Sequence, residues 1–132
     1  MKITPDTNVL VRLAVQDDPK QAEQAIKFVA DAELIAVPVT TLCEFVWVLQ
    51  RGHKRSAESI AASIKNLLKS GRVVANSVAI DAGLRFLISG GDFADGAIAV
   101  EGAQLGGTEF VTFDKKAAKL IEAAGGASVL LR

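Results

Sequence analysis

Apolar residues recur along this chain in two rhythms, and their alternation predicts the element order. "KIT" at residues 2–4 can form a short strand, ended by Pro5-Asp6. Val9, Leu10 and Leu13 then share one face of a short helix. "DDPKQAEQAIKFVADA" predicts a second helix, with Asp18 as N-cap, Pro19 in the first position and Gln21 in the third place of a capping box. "LIAVPV" is a short apolar run suited to a buried strand, and "TTLCEFVWVLQRG" a helix closed by Gly52. Residues 56–69 repeat the helical spacing through Ile60, Ile64, Leu67 and Leu68, behind a possible Ser56 N-cap, and "RVVA" suits a third strand. "SVAIDAGLRFLISGG" predicts a helix ending in a glycine pair, followed by a helix from about 93 to 105 that stops at Gly106-Gly107. "EFVTF", "DKKAAKLIEAAGG" and "SVLL" complete the chain as strand, helix and strand. Strands separated by helical crossovers imply a parallel sheet covered on both faces, hence an α/β fold.

Composition narrows the chemistry more than the fold. The 132 residues suffice for one domain with one hydrophobic core, and no repeat or linker divides them. No apolar stretch approaches the ~20 residues that span a bilayer. The opening "MKITPDTNV" lacks the apolar centre of a signal peptide, so a cytoplasmic protein with no membrane partner is expected. A single cysteine, Cys43, excludes an intrachain disulfide and reads as a buried, inert thiol beside Leu42 and Phe45. With His53 the lone histidine, a zinc site or a Cys/His pair has nothing to build on. Lys+Arg and Asp+Glu balance at 15 each, which argues against a protein that coats nucleic acid but not against an enzyme that engages it locally.

The placement of the acids is more telling than their number. Asp6 follows the first strand, Asp114 follows "EFVTF", Glu44 falls in the first turn of the helix after "LIAVPV", and Asp92 and Asp95 open the helix before "EFVTF". The C-terminal edge of an open α/β sheet is where ligand sites gather. Taken singly, each acid has a structural explanation: Asp6, Asp92 and Asp114 suit helix N-caps, Thr41 and Glu44 fit a capping box, and Asp95 can be the third-position acid behind Asp92. Taken together, carboxylates converging on one edge repel, and a divalent cation resolves the conflict. An all-oxygen donor set suits Mg²⁺ or Mn²⁺, which can drive hydrolysis at phosphorus without His, Ser or Cys.

The same residues resemble the PIN-domain ribonucleases, and more narrowly the VapC-type toxins of type II toxin–antitoxin systems. "DTNVLVRLAVQDDPKQ" is similar to the family's opening, whose first metal-site acid matches Asp6 and whose small polar followers match Thr7 and Asn8. "VTTLCEFVWVLQR" resembles the helix carrying the second acid, here Glu44. "DFADGAIAV" resembles the third motif, with Asp95 the regular acid and Asp92 its companion. "VTFDKKAAKL" is similar to the fourth, giving Asp114 and the hydroxyl of Thr112. The four motifs come in order, at family-like spacing, across nearly the whole chain. The resemblance implies a single PIN-like domain over 1–132, a three-layer α/β/α sandwich with a central, mainly parallel sheet, and Mg²⁺- or Mn²⁺-dependent endonucleolytic cleavage of RNA. It also implies a homodimer and a cognate antitoxin that blocks the site, forms a heteromer and bridges to promoter DNA. One departure is Gly96, where the family usually has alanine or another small helix former, which is expected to loosen the first turn. The other is "RGHKRS", without the aromatic often found nearby.

On this reading Asp6 and Asp95 are the principal metal ligands, Glu44 and Asp114 complete the site directly or through water, and Asp92 assists from its edge. Thr7, Asn8 and Thr112 orient carboxylates, waters or phosphate. Candidate phosphate contacts are Arg12, the cluster Arg51, Lys54 and Arg55, and Lys115, Lys116 and Lys119. Trp47, three residues after Glu44, reads as core or dimer packing rather than base stacking. A haloacid-dehalogenase-like phosphatase would need a second aspartate where Asn8 stands, and a receiver domain would need paired acids after the first strand and a late lysine. A catalytically silent PIN-like binding module is the alternative from another class.

Overall fold

The computed structural model describes all 132 residues, Met1 to Arg132. Its elements follow the predicted order: β1 (Lys2–Ile3), α1 (Thr7–Ala14), α2 (Pro19–Ala30), β2 (Leu34–Val37), α3 (Val39–Arg51), α4 (Ala57–Leu68), β3 (Val73–Ala75), α5 (Ser77–Ile88), α6 (Phe93–Gln104), β4 (Glu109–Thr112), α7 (Lys115–Ala123) and β5 (Ala127–Leu130). Every strand pair is parallel, as helical crossovers require. The chain is therefore of the α/β class. No helix is long and apolar enough to cross a membrane.

The contacts divide the chain into two compact units, Met1–Ala75 and Asn76–Arg132. In the first, the strands run in the order β1-β2-β3, with Ile3 opposite Ile35 and Ile35 opposite Val73. Leu10 and Val11 of α1, Leu42 and Leu49 of α3, and Ile60 and Ile64 of α4 are buried, so the apolar stripe of each helix faces inward. Asp18 and Ser56 cap α2 and α4 as predicted, each accepting from a backbone N–H three residues on. Gln21 does not close the expected capping box; its Oε1 instead accepts from Arg12 Nε at 2.7 Å. The guanidinium of Arg72 closes the C-terminus of α2 by donating to the carbonyls of Val29, Ala30 and Ala32.

Three expectations in this unit need correction. The helix after "LIAVPV" starts at Val39 rather than with the threonines, because Pro38 supplies an extended residue that suits the N-cap backbone. Thr41 is therefore buried inside the first turn, the Thr41–Glu44 capping box does not form, and Glu44 lies in the second turn. Trp47 is 58% exposed and is not a core residue. Cys43 is only part-buried.

In the second unit, β4 and β5 pair in register from Glu109 opposite Ala127 to Thr112 opposite Leu130. The helices α5 and α6 form its most closely packed pair, around the fully buried Ile80, Leu87 and Phe93. Glycines make that packing possible. A Cβ on Gly96 would lie 2.6 Å from the Ala82 carbonyl oxygen, and one on Gly83 would lie 2.6 Å from the Phe93 ring. The expectation that Gly96 loosens its helix is replaced by a packing role: it lets α6 seat against the backbone of α5.

Candidate active site

Each sequence-predicted acid is held at a helix start or on a helix face, and the backbone explains how. Asp6 caps α1: the Val9 N–H donates to its Oδ1 at 3.2 Å. Asp114 caps α7, with its Oδ1 accepting from the N–H groups of Lys116 at 2.8 Å and Ala117 at 3.2 Å. Asp92 caps α6, its Oδ1 accepting from the Ala94 N–H at 3.0 Å. Each such cap contributes about 1 kcal/mol, and the helix dipole favours the charge. In all three, one carboxylate oxygen takes the helix N–H groups while Oδ2 has no partner within the protein.

Glu44 obeys the same rule by another route. It is exposed on the second turn of α3, and Thr7 Oγ1 donates to its Oε1 at 3.1 Å. That bond ties the residue after Asp6 to the second acid across 37 positions of sequence. The first unit thus links its two predicted acids through Thr7, at the end where β1 and β2 give way to helices. Thr112 orients the other unit's cap: its Oγ1 accepts from the Asp114 N–H at 3.0 Å, forming a hydroxyl turn ahead of α7. Asn8 makes no side-chain hydrogen bond. It lines a groove of about 820 Å³ with Asp6, Arg12, Gln24, Lys27 and Phe28.

Asp95 stands apart. It occupies the third position of α6, half-buried, and accepts no hydrogen bond from the backbone or any side chain. Burial pushes its carboxyl above the ordinary aspartate range, and the charges of Asp92 and Asp114 push it further. Asp92, Asp95 and Asp114 therefore form an electrostatically coupled set in the second unit. No partner inside that unit neutralises them, since the chain's two salt bridges join Met1 with Glu33 and Arg12 with Asp17.

The donor chemistry fits a hard divalent cation: five carboxylates, four of them with one oxygen fixed and one uncommitted, and no thiolate or imidazole among them. Within neither unit do three or more such side chains gather into a group that could hold a metal ion. Asp6 and Glu44 belong to the first unit, and Asp92, Asp95 and Asp114 to the second. One concavity of the second unit, about 320 Å³ and lined mostly by apolar residues of α5, α6 and β4, contains none of these five acids.

The structure also sorts the predicted phosphate contacts and adds a feature the sequence reading missed. Arg12 is committed to Asp17 at 2.8 Å and to Gln21, and Arg55 to the Ala14 carbonyl and Ser59. Arg51 and Lys54 form no ion pair; the Arg51 guanidinium lies 5.9 Å from the centre of the exposed Trp47 ring. The signal was the i,i+4 spacing of an aromatic and an arginine on the polar face of a helix.

No curated protein sequence matches the chain. Among solved structures it is similar to the crystal structure of Mycobacterium tuberculosis VapC20, described as a sarcin-ricin loop cleaving toxin. The identity is 18%, the match covers 98% of this chain and 100% of that one, and the TM-score is 0.45. A family model, the PIN domain, matches residues 3–123 and so takes in all five acids. The chain belongs to the PIN domain family.

Proposed function

We propose that the protein is a Mg²⁺- or Mn²⁺-dependent endoribonuclease, the toxin of a type II toxin–antitoxin pair. Membership of the PIN domain family supports a nuclease. The observation that carries the reading further is the shared state of the acids: Asp6, Glu44, Asp92 and Asp114 each have one oxygen anchored and one unpartnered, and Asp95 has both unpartnered. Residues that only capped helices would not need the burial that destabilises the Asp95 charge.

In this proposal Asp6 and Asp95 are the principal metal ligands, Glu44 and Asp114 complete the set directly or through water, and Asp92 assists. The bound cation would polarise the phosphodiester and lower the pKa of an attacking water. The chain's own residues supply the positioning. Thr7 holds Glu44, Thr112 holds the turn that aims Asp114, and the N-terminal amides of α1, α6 and α7 fix three carboxylates without side-chain cost. Asn8, beside Asp6 with its amide uncommitted, is suited to orient a water or a phosphate oxygen. A homodimer, a cognate antitoxin that blocks the site and reaches promoter DNA, and a cytoplasmic location belong to the same proposal.

The test is cleavage of RNA isolated from cells, with 5′ ends mapped, by wild-type protein and by Asp6→Asn and Asp95→Asn in Mg²⁺, Mn²⁺ and chelator. Metal-dependent cuts by wild type, lost in both variants, are expected. Wild type that cuts nothing in either metal refutes the nuclease and leaves the silent binding module; undiminished cutting by both variants refutes the site.

A further inference from the structure

The exposed ridge of α3 presents Thr40, Glu44, Trp47 and Arg51 at helical spacing, while Leu42, Phe45, Val46 and Leu49 of the same helix are buried. Trp47, the chain's one tryptophan, is 58% exposed, although tryptophan is on average highly buried. Its one contact of note is with Arg51, whose guanidinium lies within cation–π range. At about 1.5 Å per residue, Trp47 stands about 4.5 Å along the helix from Glu44, and Arg51 about 10 Å. The ridge therefore passes from a candidate metal ligand, through a flat aromatic, to a cation with no ion pair, with the exposed Lys54 just beyond the helix end.

We propose that Trp47, backed by Arg51, is a stacking platform for one base of the single-stranded RNA segment that enters beside Glu44, with Arg51 and Lys54 taking its phosphates. This rests on the ribonuclease reading above and names residues that would position its substrate. Each base has a π-face that a tryptophan can stack, so the contact tolerates sequence while setting where the backbone lies. Arginine suits the second role because its plane can rest on the ring while its N–H edge reaches a phosphate. Charge favours RNA over a second copy of the chain as the occupant: Trp47 is flanked along the ridge by an acid and a base, not by the apolar neighbours that form the centre of a dimer interface.

Because Trp47 is the sole tryptophan and tyrosine is absent, intrinsic emission reports this ring alone. Full-length Asp95→Asn protein, expected not to cut, is titrated with a mixed-sequence single-stranded RNA oligonucleotide. Saturable quenching is expected. In the same background, binding followed by anisotropy of labelled RNA should weaken by roughly 5- to 150-fold for Trp47→Leu and far less for Trp47→Phe. Arg51→Gln should reduce the slope of log affinity against log salt by about one. In the cutting-competent protein, Trp47→Leu should raise KM more than it lowers kcat. RNA binding without quenching, or equal affinity for the Leu and Phe variants, overturns the platform. So does Trp47→Leu dissociating a dimer in sedimentation while leaving RNA affinity unchanged. Cleavage without quenching removes the platform and leaves the nuclease standing; quenching without cleavage supports the platform and removes the nuclease.

Discussion

Replacing Gly96 with alanine tests whether the α5–α6 pair is held by close approach of two backbones. In an ordinary helix interior the change is favourable, because glycine costs about 1 kcal/mol relative to alanine. Here the new Cβ would meet the Ala82 carbonyl oxygen at 2.6 Å and a Phe86 ring carbon at 2.9 Å. Ordinary contact begins at 3.4 Å, so the helices must part by 3.4 − 2.6 = 0.8 Å at this point. The Ala82 carbonyl sits mid-helix in α5 and cannot swing aside without losing its own ladder bond, and Phe86 is buried. Overpacking of this kind costs about 1–3 kcal/mol. The propensity gain of about 1 kcal/mol offsets part of it, leaving a net loss of up to about 2 kcal/mol and a fall in Tm of up to roughly 8 °C. Gly102 on the same helix is the internal control, since a Cβ there meets nothing within 4 Å. Gly102→Ala should raise stability by about 0.5–1 kcal/mol. Urea unfolding followed by far-UV circular dichroism reads both. If Gly96→Ala is as stable as wild type, or if the two substitutions shift the midpoint in the same direction, close helix packing is not why Gly96 is there.

Three further outcomes follow from the carboxylates. Asp95 has its folded pKa raised by burial and by Asp92 and Asp114, so the native state binds its proton more tightly than the unfolded chain. Stability should then fall as pH rises from the ordinary aspartate value through the raised one, and stay lowered above it. In chelator, Asp95→Asn should be the more stable protein at neutral pH and lose that advantage in acid; a variant less stable than wild type at neutral pH contradicts the burial cost. Adding Mg²⁺ or Mn²⁺ should reverse the ranking, because a ligand at 100 times its Kd stabilises by about 2.7 kcal/mol, and equal thermal shifts for both proteins would remove Asp95 from the metal site. Thr7→Val frees Glu44 from its one hydrogen bond; cleavage should drop about 10-fold or more with little change in Tm, and unaltered kinetics would make that bond incidental.

The chain shows how much of a fold is local. Element order and type were legible throughout, because period and punctuation agreed: Asp18-Pro19 and Ser56 opened helices, and Gly106-Gly107 ended one. The start of α3 was misplaced because Thr41 followed by Glu44 mimics a capping box, while a less conspicuous signal, Pro38, set the true N-cap three residues earlier. The exposure of Trp47, against a core position, and the part played by Gly96 were not legible for a different reason. Whether a tryptophan is exposed, or a glycine touches another helix, depends on residues distant in sequence, and no local pattern carries it.

The acids were legible as positions but not as states. From sequence, cap and ligand compete as explanations of Asp6, Asp92 and Asp114. Geometry makes them compatible, since a carboxylate has two oxygens and a helix N-terminus occupies one. The cap then does for a ligand what an outer hydrogen bond does for a coordinating histidine: it fixes the rotamer in advance and lowers the entropy lost on binding. Glu44, in the second turn, is too far from the orphan amides to be held this way, and Thr7 replaces them. Asp95 is the one acid left without a clamp, and it is also the one whose charge the fold opposes. If these acids hold a cation as proposed, the unclamped and destabilised Asp95 has most to gain from it, so Asp95→Asn, rather than a variant of any cap, should show the largest change in the thermal shift that Mg²⁺ or Mn²⁺ produces.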